Sequence, residues 1–327
     1  MLKYYIMKKF QILVMLLWLS VCLAGAVESK IRLVHGPYLQ NLGPDEVTIV
    51  WLSDKPSVGW VELAPDDDTN FYATERPKYY DARNGVKNTS TIHTVKIKGL
   101  KPGTNYRYRV FVQEVLSHVG HKIIYGNYAS TDVYSKKPLV FKTSDPADNS
   151  VSFAMVNDIH GKNDLLTNLV SKCDLKKTDF FLFNGDMVSV FNEENHIFDG
   201  FMDTATKLFA SEIPMYYTRG NHETRGAFAT EFQRYFSPKE ENIYYTFRQG
   251  PICFAVFRRS LRSLRIRSSS SRSINAFPSK DANIDFFSGT YLSRISIACS
   301  ARVDAFSKPA FCPAVSIFLK SSSSSIT

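Results

Sequence analysis

The chain has 327 residues, 44% hydrophobic and 22% charged, with a formal net charge of +9. That apolar content is ordinary for a globular protein and leaves material for sizeable cores, and the length suits about two domains. The charge sits at the ends: residues 1–26 carry three Lys and no acid, residues 258–327 carry eight Arg and three Lys against three Asp, and the body between is left at −2, which excludes it as a basic nucleic-acid binder.

In chain order, Lys8-Lys9, an apolar stretch from Ile12 to Leu23 and then Ala24-Gly25-Ala26 follow the charged, apolar and small-residue order of a secretory signal peptide over residues 1–26. About 12 apolar residues are too few to cross a bilayer. The sequence therefore predicts a secreted, periplasmic or cell-surface protein with no transmembrane span once the signal is removed. Leu19-Ser20-Val21-Cys22 leaves open a lipid anchor at Cys22, although Val before the Cys suits it poorly. Cys173, Cys253, Cys299 and Cys312 show no paired spacing, so neither a disulfide framework nor a zinc site is expected.

Residues 33–144 read as an antiparallel β-sandwich. Val47–Trp51 and Thr94–Lys98 have strand length and pattern, Gly99–Gly103 is a turn, and Tyr106–Val110 alternates aromatic and basic side chains. The aromatic stripe is expected to be core. Ser144–Ser150 is a polar linker and the expected domain boundary. From residue 150 to 257 strands alternate with helices. Val151–Val156, Phe180–Phe183 and Met215–Tyr217 read as strands, with helical periodicity over Leu165–Cys173 and Phe198–Leu208. Such alternation predicts an α/β sheet with parallel pairing. Ile243–Phe247 and Ile252–Val256 read as two more strands joined by a Gly-Pro turn. Residues 258–327, with 19 Ser and no Glu, show neither a clean strand nor a clean helix pattern.

Three motifs each follow an apolar strand: Asp158-Ile159-His160, Gly185-Asp186 and Gly220-Asn221-His222-Glu223. Open α/β sheets collect ligands past the carboxyl ends of their strands, so loops at neighbouring ends bring these residues together. Asp158 and His160 can turn toward one ion, the two oxygens of Asp186 can bridge a pair, and Asn221 adds an amide oxygen. This mixture of oxygen and imidazole donors suits iron, zinc or manganese. Two ions roughly 3.5–4 Å apart would polarise a phosphoryl group and hold a hydroxide for in-line attack. His222 would protonate the leaving oxygen, with Glu223 orienting nearby groups. His196 is expected on a solvated helix face. His35 and His93 fall in the sandwich, and His118 and His121 in a loop.

Residues 151–257 resemble the N-terminal half of the calcineurin-like metallophosphoesterases, whose pattern runs Asp-x-His, Gly-Asp, Gly-Asn-His, a solitary His, then Gly-His-x-His. Gly36–Gln40 and Leu100–Tyr108 resemble the fibronectin type III-like domain in front of purple-acid-phosphatase-type enzymes. The resemblance implies a β-sandwich followed by an incomplete α/β metallophosphoesterase domain, a β-sheet sandwich flanked by helices. It further implies two metal ions, with Asp158 and His160 on the first, Asp186 bridging and Asn221 on the second. His222 would be the transition-state and leaving-group residue, and a phosphate ester the substrate. His160 is present, and Ser189 stands near the position of the Tyr that purple acid phosphatases carry after Gly-Asp, so no tyrosinate–iron site is expected.

No His follows His222, so the last two motifs are missing and the second ion keeps Asp186 and Asn221 alone from the family set. The sequence thus predicts an exported phosphohydrolase impaired in this chain, with residues 258–327 read out of frame or from a disrupted gene. The alternative is a non-catalytic exported binding protein with a degenerate phosphoesterase-like module. The Arg/Ser tail offers nonspecific attraction to phosphates, but no specific nucleic-acid partner is expected.

Overall fold

The computed structural model describes residues 29–236, 245–250 and 252–257, together with the backbone of strands over 283–291, 294–304 and 314–318. The expected signal peptide and Cys22 lie outside the described residues. Strands β1 (Leu33–Gln40), β2 (Glu46–Pro65), β3 (Lys78–Tyr80), β4 (Ala82–Arg83), β5 (Val86–Lys87), β6 (Thr89–Lys98), β7 (Asn105–Val119), β8 (Lys122–Ser130) and β9 (Leu139–Lys142) make up the first part of the chain.

The 20-residue β2 organises it. Its first half lies between β1 and β6, and its second half pairs with β7 and β3. A register shift between Leu52 and Ser57 marks the change of partners, a bulge of the kind that lets one strand serve two sheets. Val47, Ile49 and Trp51 face inward with Leu39, Val95, Ile97, Tyr108, Val110 and Phe141. Burying each such side chain contributes roughly 1.5–3 kcal/mol. His93 lies in this interior, with Nε2 2.8 Å from Ser57 Oγ and its ring stacked on Trp51. His118 lies in β7, one residue before its end, rather than in a loop, because the β7–β8 ladder continues to Val119↔Lys122.

The second part begins with β10 (Ser150–Val156), α1 (Asn163–Val170), β11 (Phe180–Phe183) and β12 (Met215–Tyr217). The three strands are parallel in the order β10-β11-β12, as the alternation predicted. Between β11 and β12 runs a helical stretch over residues 195–210, in which the α-turns Asn195–Ile197 and Asp203–Ala205 alternate with the π-turns Phe198–Met202 and Thr206–Ala210. Both helices differ from their predicted limits by a few residues.

Phe181 and Phe183 point to the helical side, where they meet Leu166, Phe201, Met202 and Phe209. Phe180 and Leu182 point to the other side and meet Tyr245, Phe247, Ile252 and Phe254. Those residues belong to β13 (Tyr245–Gln249) and β14 (Ile252–Phe257), an antiparallel pair. The strand is therefore apolar throughout because it is covered twice. Ile243 and Tyr244, expected in β13, lie outside the described residues.

The tail departs from expectation. Its backbone supplies β15 (Asn283–Tyr291), β16 (Arg294–Asp304) and β17 (Ala314–Phe318). The β16 strand runs antiparallel to β10 from Ser150↔Asp304 to Val156↔Ala298, and β17 runs parallel to β14. Local Ser- and Arg-rich composition hid these strands, since edge pairing with a preformed strand asks only for backbone donors and acceptors.

The two parts are joined through β1. Gln40 pairs with Met215 of β12 in parallel, and Tyr38, Val50 and Leu52 pack with Phe181 and Tyr235. The two faces of β1 and of the first half of β2 thus contribute apolar side chains to different cores. Tyr38 OH and Gln40 Nε2 both donate to the Tyr235 carbonyl, at 2.9 and 2.7 Å. Gln249 Nε2 donates to the Leu42 carbonyl at 2.8 Å. His35 Nδ1 lies 2.9 Å from Asp203 Oδ1, with its ring stacked on Phe198. Tyr38→Phe is expected to cost about 1 kcal/mol in urea denaturation, because Gln40 still serves the carbonyl. Tyr38→Phe with Gln40→Ala should cost about 1–3 kcal/mol more than the two singles together, the penalty of an orphaned buried acceptor.

Candidate metal centre

The loops after β10, β11 and β12 meet at one edge of the parallel sheet. The first two are knitted by backbone bonds: Asp158 N to Gly185 O at 3.2 Å, His160 N to Asp186 O at 3.1 Å and Gly161 N to Met187 O at 2.8 Å. Asp158, His160 and Asp186 all take left-handed backbone angles, with φ of 56°, 52° and 55°. Side-chain-bearing residues adopt that region at a cost and hold it where surrounding contacts enforce it. Here the ladder between the loops enforces it.

The second and third loops touch through their glycines. A Cβ on Gly185 would lie 2.7 Å from Gly220 Cα, and one on Gly220 would lie 2.6 Å from Asp186 N. Glycine in Gly-Asp and in Gly-Asn-His therefore serves close backbone approach, with Gly185 also at φ 81°. Across this contact lies Glu223, 1% exposed. Its carboxylate accepts from Asp186 N (3.0 Å), Met187 N (2.7 Å), Gly220 N (2.9 Å) and Tyr217 OH (2.8 Å). Burial pushes the Glu223 carboxyl up, opposed by the Tyr217 hydroxyl, with the Asp186 charge adding to the rise. Burial pushes the Tyr217 phenol far up as well, so it stays a donor.

This scaffold brings the candidate side chains together. His160, Asp186 and His222 offer donor atoms all within 4.8 Å of one another, the one such group among the described residues. Asp158 Oδ1 is 3.6 Å from His160 Nε2, and Asn157 Nδ2 donates to the other Asp158 oxygen. Asp186 Oδ1 accepts from the His222 backbone N–H at 2.9 Å. His222 Nδ1 lies 2.8 Å from the Ser189 carbonyl; a carbonyl only accepts, so Nδ1 carries hydrogen and Nε2 keeps the lone pair. One end of the Asn221 amide lies 3.0 Å from Asp186 Oδ2 and 3.3 Å from Oδ1, and the other end lies 2.8 Å from Arg225 Nη2; hydrogen-bond pairing without an ion would turn the nitrogen toward Asp186.

The donor set fits a cation: two imidazoles, two carboxylates and an amide in three adjoining loops. Metal ligands commonly anchor their other ring nitrogen on a carbonyl or carboxylate, as His222 does on Ser189. The sequence placed His222 at proton transfer alone; the structure puts it within ligand reach too. His196 is part-exposed, with Nδ1 3.0 Å from the Val190 carbonyl and Nε2 3.5 Å from Glu193, so it is partly solvated and also closes its own loop. Asn157, Tyr217 and Arg225 went unnoticed in the sequence because no local spacing links them to the motifs.

Residues 151–278 match the family model of the calcineurin-like phosphoesterases, and residues 35–124 that of the purple acid phosphatase N-terminal domain. The first match runs beyond residue 257, where the resemblance was expected to stop. A curated relative, purple acid phosphatase 21 of Arabidopsis thaliana, is 28% identical over 194 residues, covering 53% of this chain. The chain spans 38% of that relative's length. Among solved structures, a redesigned β-sandwich protein overlaps 35% of this chain and 95% of its own (16% identity, TM-score 0.22). The sensor domain of the anti-sigma factor RsgI4 of Pseudobacteroides cellulosolvens overlaps 36% and 96% (12% identity, TM-score 0.20). Overlaps that slight carry no argument.

Glu223→Ala is expected to lower stability by about 3–5 kcal/mol, because it strands several buried N–H donors. Glu223→Gln, which sets an amide N–H among donors, should cost about 1–3 kcal/mol. Thermal denaturation of the purified chain checks both.

Proposed function

From a chain whose two regions match the purple acid phosphatase N-terminal domain and the calcineurin-like phosphoesterases, we propose a hydrolase of phosphoric esters. Asp158 and His160 would hold one ion, Asp186 would bridge and Asn221 would serve the second. The convergence of His160, Asp186 and His222 within 4.8 Å supports this reading most. Bound iron, zinc or manganese ions would polarise the phosphoryl oxygens and lower the pKa of water.

The chain's own residues set the geometry around them. The left-handed turn at Asp158, His160 and Asp186 aims three side chains from a rigid backbone ladder. His222 acts as the proton donor to the leaving oxygen. When its Nε2 proton departs, the ring returns to the neutral tautomer that the Ser189 carbonyl already holds. Glu223 keeps the Asp186 loop against the His222 loop, which fixes acid and bridging carboxylate relative to one another.

We further propose that activity is impaired and the protein exported. The second ion has Asp186 and Asn221 as candidate ligands, and no His follows His222 in the sequence. Lys8-Lys9, the apolar stretch and Ala24-Gly25-Ala26 support export, and among the described residues no helix is long and apolar enough to cross a membrane. The Ser/Arg composition after residue 257 supports an out-of-frame origin for the tail. Translating all three frames downstream of codon 257 tests that origin, and a Gly-His-x-His in another frame is the expected result.

Metal analysis and turnover of a chromogenic phosphate monoester test the rest. The expected outcome is fewer than two ions per chain and weak turnover, removed by Asp186→Asn. A metal-free, inert protein would sink the hydrolase and favour the exported binding module. Turnover matching an intact phosphoesterase would overturn the impairment.

A further inference from the structure

The second half of β2 and its neighbours have an outer face that breaks the usual pattern. Val61 and Leu63 of β2, with Val110 and Val112 of β7, fill the sandwich core. Successive strand side chains point to opposite sides, so Trp60, Glu62 and Phe111 take the outer face. The cross-strand register extends it: Trp60 pairs with Tyr80 of β3 and with Phe111 of β7. In an antiparallel sheet with one face on a core, the other face is ordinarily polar. Here it carries a run of aromatic rings that belongs to none of the cores described above.

Trp60 stacks on Phe111, with centroids 5.2 Å and planes 5° apart. Tyr80 tilts against it at 5.8 Å, and Tyr128 of β8 meets it edge-on at 6.2 Å. These rings leave Trp60 7% exposed, while Tyr128 stands 65% exposed. Ring pairs of this kind add about 0.5–1.5 kcal/mol each to simple burial, so the row is a rigid base with one ring offered to solvent. Two ammonium groups lie against it: Lys78 Nζ is 5.8 Å from the Trp60 centroid and Lys87 Nζ is 3.8 Å from that of Tyr80. They outnumber the carboxylate of Glu62, which is nearly buried, accepts from Trp60 Nε1 at 3.3 Å and lies 4.0 Å from Lys78.

A ring face is negative and attracts the polarised C–H bonds of a sugar ring. An ammonium on a flexible stem can swing from a ring to a carboxylate. Rings and cations side by side therefore complement a ligand that is flat, hydroxylated and acidic. We propose that this outer face binds an anionic polysaccharide, with a pyranose ring stacked on Tyr128 and its acid groups on Lys78 and Lys87. The site is separate from the candidate metal centre and stands without the hydrolase reading.

Calorimetric titration of the full chain with an oligogalacturonate tests it. A chain of net charge +9 attracts any polyanion, so the deciding variant keeps every charge. Tyr128→Ala removes an exposed ring, should leave the thermal unfolding midpoint unchanged, and should weaken binding about tenfold, the scale on which a flat ligand stacks on one ring. Lys78→Gln with Lys87→Gln should weaken it roughly fivefold, as expected of two exposed ion pairs. Absence of binding, or binding indifferent to Tyr128→Ala, overturns the proposal. Equal affinity for a neutral glucan oligomer overturns the acidic requirement, and tighter binding of single-stranded DNA overturns the polysaccharide in favour of nucleic acid.

Discussion

The buried carboxylate of Glu223 is the interaction on which the centre depends. It gathers backbone N–H groups from the Gly185-Asp186 loop and the Gly220-Asn221 loop, and a hydroxyl from β12, around one pair of oxygens. Without an acceptor at that point, two loops that touch glycine to glycine would present several buried donors to one another. A single acid thus converts an electrostatic conflict into a joint. The two loops are held in register because Asp186 N and Gly220 N donate to the same carboxylate, and the His222 N–H donates to Asp186 Oδ1.

A comparable economy governs the junction of the two regions. Leu39 of β1 and Val47, Ile49 and Trp51 of β2 close the sandwich, while Tyr38 of β1 and Val50 and Leu52 of β2 close the α/β core. The sandwich is therefore a structural wall of the second core, and its placement follows from burial rather than from a flexible tether. Hydrogen bonds from Tyr38 and Gln40 to the carbonyl of Tyr235 fix the angle at which the wall meets the last described helical turn before the sheet resumes.

The proposed chemistry sits where these constraints end. Asp158, His160 and Asp186 occupy backbone conformations that an unconstrained loop would leave, and the ladder between the loops holds them there. Arg225 lies exposed at the rim, beside the half-buried Asn221.

Much of this was legible in the chain. The order strand–motif, three times over, placed Asp158, His160, Asp186, Asn221 and His222 at adjoining loop ends, because parallel strands in sequence are neighbours in space. The apolar runs Val47–Trp51 and Phe180–Phe183 announced strands. What local pattern could not announce were the partners: that β2 would serve two sheets, that β16 would line β10 despite its composition, or that Glu223 would bind two loops and a strand hydroxyl. Those depend on which surfaces meet after the chain has folded, and a hydrogen bond between residues far apart leaves no spacing behind. Residue type and order by themselves determined most elements before residue 257 and the candidate ligands; the tertiary structure alone decided their pairing, since only close packing brings one residue's donors within reach of another's oxygen.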